Sequence, residues 1–418
     1  MVVGIIVGAS IFVQPSEINR HVPSVAGVLS VWLAAGVLTL FGSLVCAELS
    51  SVFPRTGGVY VFLKETFSPG LGFLWGWAMF WSAHSGIIAA SSMILARYVG
   101  YFVPLTDVGL KGVAIAAILG LSFVNYLGVR QGSGLQTTVT IAKLAAIAIL
   151  LALAALFGGG HTADAVTPPV QFSASEFVLG VSAALFAFGG WHMVTYTAGE
   201  TRDASKTVPR ALLLGVLIVT ACYIGLNSAY LHILPISKVI SSTRVAADAA
   251  FALAGPRGAA AISALVILSA VGVLNGVILA GPRTYYAMAE AGLAFRWLGR
   301  AHPQFRTPYL AIVLQAVWSC ALVATGTYRL LFTRVIYTEW IFFALMTVGL
   351  MRLRRRRDYK APYRAWGGAV VPLVFAVSAL GVAAIQIAAD PWQAASGLGL
   401  VVLGLPVYYI WIRPNAHR

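Results

Sequence analysis

Charge is the scarcest commodity in this chain: Asp, Glu, Lys and Arg make up 10% of its 418 residues, against about 25% in an ordinary soluble domain. So few charges cannot clothe a water-soluble globule of this length, and with 59% hydrophobic residues a soluble enzyme is excluded. Acids are scarcer than bases, 13 against 28, which leaves a formal charge of +15. In a soluble protein that excess would suggest nucleic acid; in an apolar chain it marks basic connections on the cytoplasmic face of a membrane, and no nucleic-acid partner is expected. Cysteine is nearly absent. Cys46, Cys222 and Cys320 each lie inside an apolar stretch, with no CxxC or Cys/His cluster, so no metal, cofactor or disulfide framework is expected. No signal peptide is expected either, since one would need a basic start and a small-residue cleavage site. Met1 runs straight into VVGIIVGASIF.

What the chain does have is apolar runs, near 1–20, 25–52, 70–104, 108–127, 131–158, 176–198, 207–234, 258–290, 308–326, 328–351, 366–389 and 392–412. Each is about as long as a helix needs to cross a bilayer, roughly 20 residues. They are rich in Ala, Gly and Leu and show no barrel-type alternation, so the expectation is an all-α membrane protein of about twelve transmembrane helices forming one domain. Basic residues gather in alternate connections, among them Arg55 and Lys64, Lys206 and Arg210, Arg296 to Arg306, and the run Arg352 to Arg364. That bias puts both termini in the cytoplasm, in a multi-pass protein of the cytoplasmic membrane. The Arg352 to Arg364 run reads as a topology signal and is assigned no lipid ligand.

Two runs carry helix-breaking sequence near their middle: Gly8, Ala9 and Ser10 in the first, Gly189 and Gly190 in the sixth. Small residues in membrane helices are usually packing contacts. Here they occupy matching places in two sets of five runs, the pattern of paired discontinuous helices around a substrate site. An interrupted helix frees backbone groups, tolerable in a membrane only where protein, water or a polar ligand satisfies them. Freed amides suit a carboxylate and freed carbonyls an ammonium. A free amino acid carries both groups. Only seven residues precede Gly8, about 10 Å of helix, less than half of a roughly 30 Å hydrocarbon core. The expectation is either an upstream extension in the native gene or a weakened inner gate.

The stretches VGASIFVQPSEI, CAELSSVFPRTGGVYVFLKETFSPGLGFLWGW, TVTIAKLAA, FAFGGWHMVTYTAGETRDASKTVPRA, LNGVILAGPRTYYAMAEAG and TEWIFFALMTVGLMRLRRRRDYKAPYR resemble the amino acid-polyamine-organocation superfamily. Within it the chain is most similar to the L-type amino acid transporters, over essentially its whole length. The resemblance implies two inverted five-helix repeats, about 1–158 and 176–351, two further helices over about 366–412, and alternating access around a central site. It places the first-helix break on Gly8, Ala9, Ser10, Ile11 and Phe12, with Ile6 and Val7 leading into it, where amides would receive the substrate carboxylate. Ser10 departs from the family's usual glycine. In the sixth helix it places carbonyls for the substrate ammonium on Phe186, Ala187, Phe188, Gly189 and Gly190, with Phe186 also a lid. His192 follows, either lining the side-chain pocket or packed in the interior. Glu200 and Arg202 resemble inner-gate charges that pair with a loop on closure, and Arg283, Tyr285 and Tyr286 fall at the inner mouth.

Lys143 lies within a span, where an ammonium is functional by default. It is twelve residues, about 18 Å of helix, beyond Gln131 near the predicted cytoplasmic end, too far for its stem to snorkel. The resemblance puts it where sodium-coupled relatives bind their ion, joining helix five to helices one and eight. That implies sodium-independent transport, by proton coupling or exchange. Glu339 also lies within a span and Glu48 near an interface; a structural hydrogen bond is the plain role for each. A membrane enzyme would need paired acids or a histidine-acid cluster at one face, and a channel a polar stripe or charge ring; neither is present. The leading reading is a permease for amino acids of neutral side chain; a dication would want a carboxylate in the central site, and the positions nearest the breaks offer none. The alternative is a polyamine or organic-cation permease of the same fold. A partner subunit is left open.

Overall fold

The computed structural model describes residues 1–157, 172–326 and 328–412. Residue 158, the predicted end of the first repeat, and Arg413 and Arg418 of the predicted cytoplasmic tail lie outside them. Among the described residues all regular structure is helical: α1 (Val2–Ile6), α2 (Gln14–His21), α3 (Val25–Val52), α4 (Val59–Thr66), α5 (Pro69–Ala78), α6 (His84–Val99), α7 (Asp107–Leu127), α8 (Val129–Phe157), α9 (Ala174–Ala187), α10 (Ala204–Ile233), α11 (Ile236–Ser241), α12 (Val245–Glu290), α13 (Tyr309–Thr325), α14 (Tyr328–Arg354), α15 (Val370–Ala389), α16 (Pro391–Val402) and α17 (Gly404–Val407). Nine of the helical segments among the described residues are long and apolar enough to cross a membrane. The 17-residue α13, the 27-residue α14 and the interrupted segment from α1 to α2 account for the remaining apolar runs.

Helix starts follow local chemistry. Ser24, Ser68, Thr106 and Asp390 each accept a bond from a backbone N–H three residues on, supplying an acceptor that the first turn lacks. Ser173 and Glu176 form a reciprocal capping box at α9, which satisfies two such donors at once. The outward faces of α7 and α8 present Phe123, Ile141 and Leu156, the last 75% exposed. A perimeter this apolar belongs against lipid, because monomeric soluble proteins rarely expose large contiguous apolar surface. This is a multi-pass integral membrane protein. The larger of two buried cores among the described residues includes Trp32 (α3), Tyr223 (α10), Trp75 (α5) and Tyr337 (α14).

Glu48, fully buried near the end of α3, accepts bonds from Arg354 Nε (2.9 Å) and Nη2, from the Tyr359 hydroxyl (2.7 Å) and from the Ala365 N–H (2.7 Å). The carboxylate thus ties α3 to the basic end of α14 and to the loop beyond it, the structural role expected of it. Burial first, and then the bond to Glu48, raise the Tyr359 pKa well above its ordinary range. Breaking a buried pair by neutralising one partner strands the other, at a cost of about 3 kcal/mol. Glu48→Gln is therefore expected to lower the melting temperature of the purified protein by several degrees; an unchanged melting curve would show that this clamp contributes nothing.

Candidate functional site

α1 ends at Ile6, Val7 leaves helical space (φ −68, ψ 84), Gly8 is extended (φ −103, ψ −176), and a 3-10 turn covers Ala9–Phe12. α9 ends at Ala187, Gly190 is left-handed at φ 88, and a 3-10 segment runs over Trp191–Glu200. A side chain at Gly190 would be strained by that φ, and its Cβ would sit 2.6 Å from Ile5 Cγ2. The carbonyl groups at the two ends are held together by a residue the sequence did not single out. The Tyr223 hydroxyl on α10 lies 2.7 Å from the Ile6 oxygen and 2.8 Å from the Ala187 oxygen.

Both segments border one small, partly open cavity. Ile6, Gly8 and Ser10 line it from one side and Phe186, Ala187 and Gly189 from the other; Ile87 and Ser91 of α6, Val273 of α12, and Glu339 and Trp340 of α14 contribute to the rest of the wall. Five other residues expected at the site do not line it. The Val7 carbonyl is turned to Lys143, Ile11 is fully buried in the core, and Phe188 packs on Trp32 and Tyr223, the latter at a ring distance of 5.0 Å. Gly190 is pressed against Ile5. His192 is the packed interior histidine of the two readings: it is enclosed by Trp75, Trp191 and Phe343, with Nε2 2.9 Å from the Tyr196 hydroxyl. The backbone of Ala9 opens the 3-10 turn; its side chain lies outside the described residues.

Lys143, 1% exposed on α8, donates to the Gly4 oxygen (2.9 Å) and the Val7 oxygen (2.7 Å), so its ammonium holds the end of α1. Gly272 of α12 packs beside it, where a Cβ would stand 3.1 Å from Nζ. Ser269 on the same helix also reaches the Val7 oxygen, at 3.4 Å. Glu200 pairs with Arg283 of α12 through two bonds of 2.8 and 3.1 Å. Arg283 is further anchored by the Leu279 carbonyl. Arg202 is exposed and takes no part in this pair. Unforeseen was a buried chain of polar groups beside it. Tyr285 OH lies 3.0 Å from His84 Nδ1, His84 Nε2 lies 3.2 Å from Tyr196 OH, and His192 completes the row.

Glu339, within α14 as expected, is a residue of the cavity wall, 5% exposed, and its buried Oε1 has no hydrogen-bond partner. The rule that flags an ionisable group within a span applied to it as fully as to Lys143.

Residues 1–404 match the model of a family described as amino acid permease. This chain belongs to that family, within the amino acid-polyamine-organocation superfamily. Among the permease's relatives, the serine/threonine exchanger SteT of Bacillus subtilis (strain 168) is 32% identical, over 98% of the permease and 94% of its own length. The human b(0,+)-type amino acid transporter 1 is 27% identical over 99% of the permease and 86% of its own length. The human cystine/glutamate transporter is 26% identical over 99% and 83%. The permease is thus a member of a family of membrane transporters for amino acids and not of an enzyme family.

Proposed function

We propose that the permease is a secondary transporter that moves free amino acids across the cytoplasmic membrane by alternating access, without sodium, using either a proton or a second amino acid as the counterpart. The observation that carries this reading is the single cavity bordered by both interrupted segments, Ile6 to Ser10 and Phe186 to Gly189. Amides around Gly8 would receive the substrate carboxylate and carbonyls near Ala187 its ammonium, the division of labour that two discontinuous helices make possible. Residues 1–158 and 176–351 form the two inverted repeats in this reading, and the helices over 366–412 are additions to them. Lys143 supplies between α8, α1 and α12 the positive charge that a sodium ion would otherwise bring. The carboxylate that a dication would want, and that the positions nearest the breaks do not offer, is supplied in this cavity wall by Glu339. That carboxyl also lends weight to the second reading, a polyamine or organic-cation permease.

Uptake by proteoliposomes of a panel of labelled amino acids and putrescine, with and without sodium, a pH gradient or internal amino acid, tests the proposal. Uptake of amino acids without sodium is the expected result; uptake of putrescine alone would install the second reading. Both termini are assigned to the cytoplasm. In a background lacking the three cysteines, Arg356→Cys in intact cells should resist an impermeant thiol reagent. Labelling there would invert the topology.

A further inference from the structure

Three of the buried charges in this protein have partners. Lys143 is held by two carbonyls, Glu48 by Arg354 and neighbours, and Arg283 by Glu200. Glu339 is different. Among the described residues it joins no ion pair, its buried Oε1 has no hydrogen-bond partner, and the residue lines a cavity. A carboxylate withdrawn from water without a partner is among the costliest groups a fold can contain. A purely structural bond to a neighbouring helix does not account for it, because no helix offers that oxygen a donor. Packing does not account for it either, since an apolar residue of similar size would line the cavity without that cost.

We propose that Glu339 is the specificity-determining residue of the cavity, and that the cavity takes amino acids whose side chain ends in a positively charged nitrogen group. The inference rests on the cavity being the substrate site. Backbone groups at the two interruptions serve the α-carboxylate and α-ammonium, which every amino acid shares and which therefore cannot discriminate among side chains. The carboxyl of Glu339 stands in the wall contributed by α14, apart in sequence from both interruptions. A substrate with a basic side chain carries net charge +1, and the Glu339 carboxylate cancels it, so the loaded cavity holds no uncompensated charge in a low-dielectric interior. A neutral amino acid leaves the carboxylate unpaired. Lys143 cannot take the substrate's place, because its ammonium is committed to the Gly4 and Val7 oxygens.

The test uses the full chain purified in detergent, with L-ornithine, L-serine and putrescine titrated against thermal stability for wild type, Glu339→Gln and Gly189→Leu. Wild type is expected to bind ornithine more tightly than serine, and Glu339→Gln to reduce the ornithine-to-serine preference by roughly thirtyfold, the scale of one buried charge-assisted contact. An unaltered preference in Glu339→Gln, or serine bound more tightly than ornithine by wild type, overturns the proposal. The wild-type ordering decides the matter even if the variant fails to fold. Putrescine bound as tightly as ornithine would show that no carboxylate is read and would overturn the amino-acid half of it. Failure of the underlying site is recognised separately: Gly189→Leu would then bind ornithine and serine as wild type does.

Discussion

Gly189→Leu is expected to abolish substrate binding while the protein still folds and inserts. Gly189 borders the cavity and is only partly buried. Its φ is not among the positive values, so a leucine is not excluded by backbone strain as it would be at Gly190. The new Cβ would approach the Phe186 carbonyl at 3.0 Å, a tight contact that a small shift relieves. The remainder of the side chain is expected to occupy the cavity that Gly189 lines. Overfilling a site costs roughly 1–3 kcal/mol or more, which converts to a loss of about ten- to a hundredfold in affinity. Thermal-shift titration with amino acids should therefore show no stabilisation at concentrations that saturate wild type, with expression close to normal. Normal transport by Gly189→Leu would remove the cavity from consideration as the substrate site.

Lys143→Ala should cut transport at least tenfold and leave the melting temperature within a few degrees of wild type. Two opposing contributions set the small change in stability: bonds from a charged donor are worth about 1.5–3 kcal/mol each, and the ammonium is desolvated to make them. The conformational effect has no such offset. Lys143 is the tie from α8 to the Gly4 and Val7 oxygens, and an alternating-access equilibrium shifts tenfold for each 1.4 kcal/mol by which one state loses more than the other. Uptake by wild type should proceed unchanged when sodium is replaced by choline. Near-normal transport by Lys143→Ala, or a strict sodium requirement in wild type, would remove Lys143 from the coupling mechanism.

The spans were legible because bilayer thickness imposes a length and apolarity that few other contexts demand, and runs such as 25–52 and 207–234 correspond closely to Val25–Val52 and Ala204–Ile233. Lys143 could be placed by distance alone. An ammonium 18 Å along a helix from water must find partners within the protein, though which carbonyls it finds depends on how α1 ends. Side-chain direction was another matter. Ala187 and Phe188 are adjacent in sequence, yet one borders the cavity and the other packs on Trp32 and Tyr223, because neighbouring side chains at a helix end point about 100° apart and only the packing of α9 decides which meets the cavity. Tyr223, and the place of Glu339 beside the cavity, were not legible for a related reason: each meets the interrupted segments from a helix distant in sequence, and no local pattern marks such an approach.

Tyr223 stands between two carbonyl oxygens with a single hydrogen to give. The hydroxyl donates to one of them at a time, so the ends of α1 and α9 share one donor on α10. In the proposed site a substrate ammonium, with three hydrogens, would serve whichever oxygen the hydroxyl leaves. Substrate arrival would then be felt on α1, α9 and α10 together.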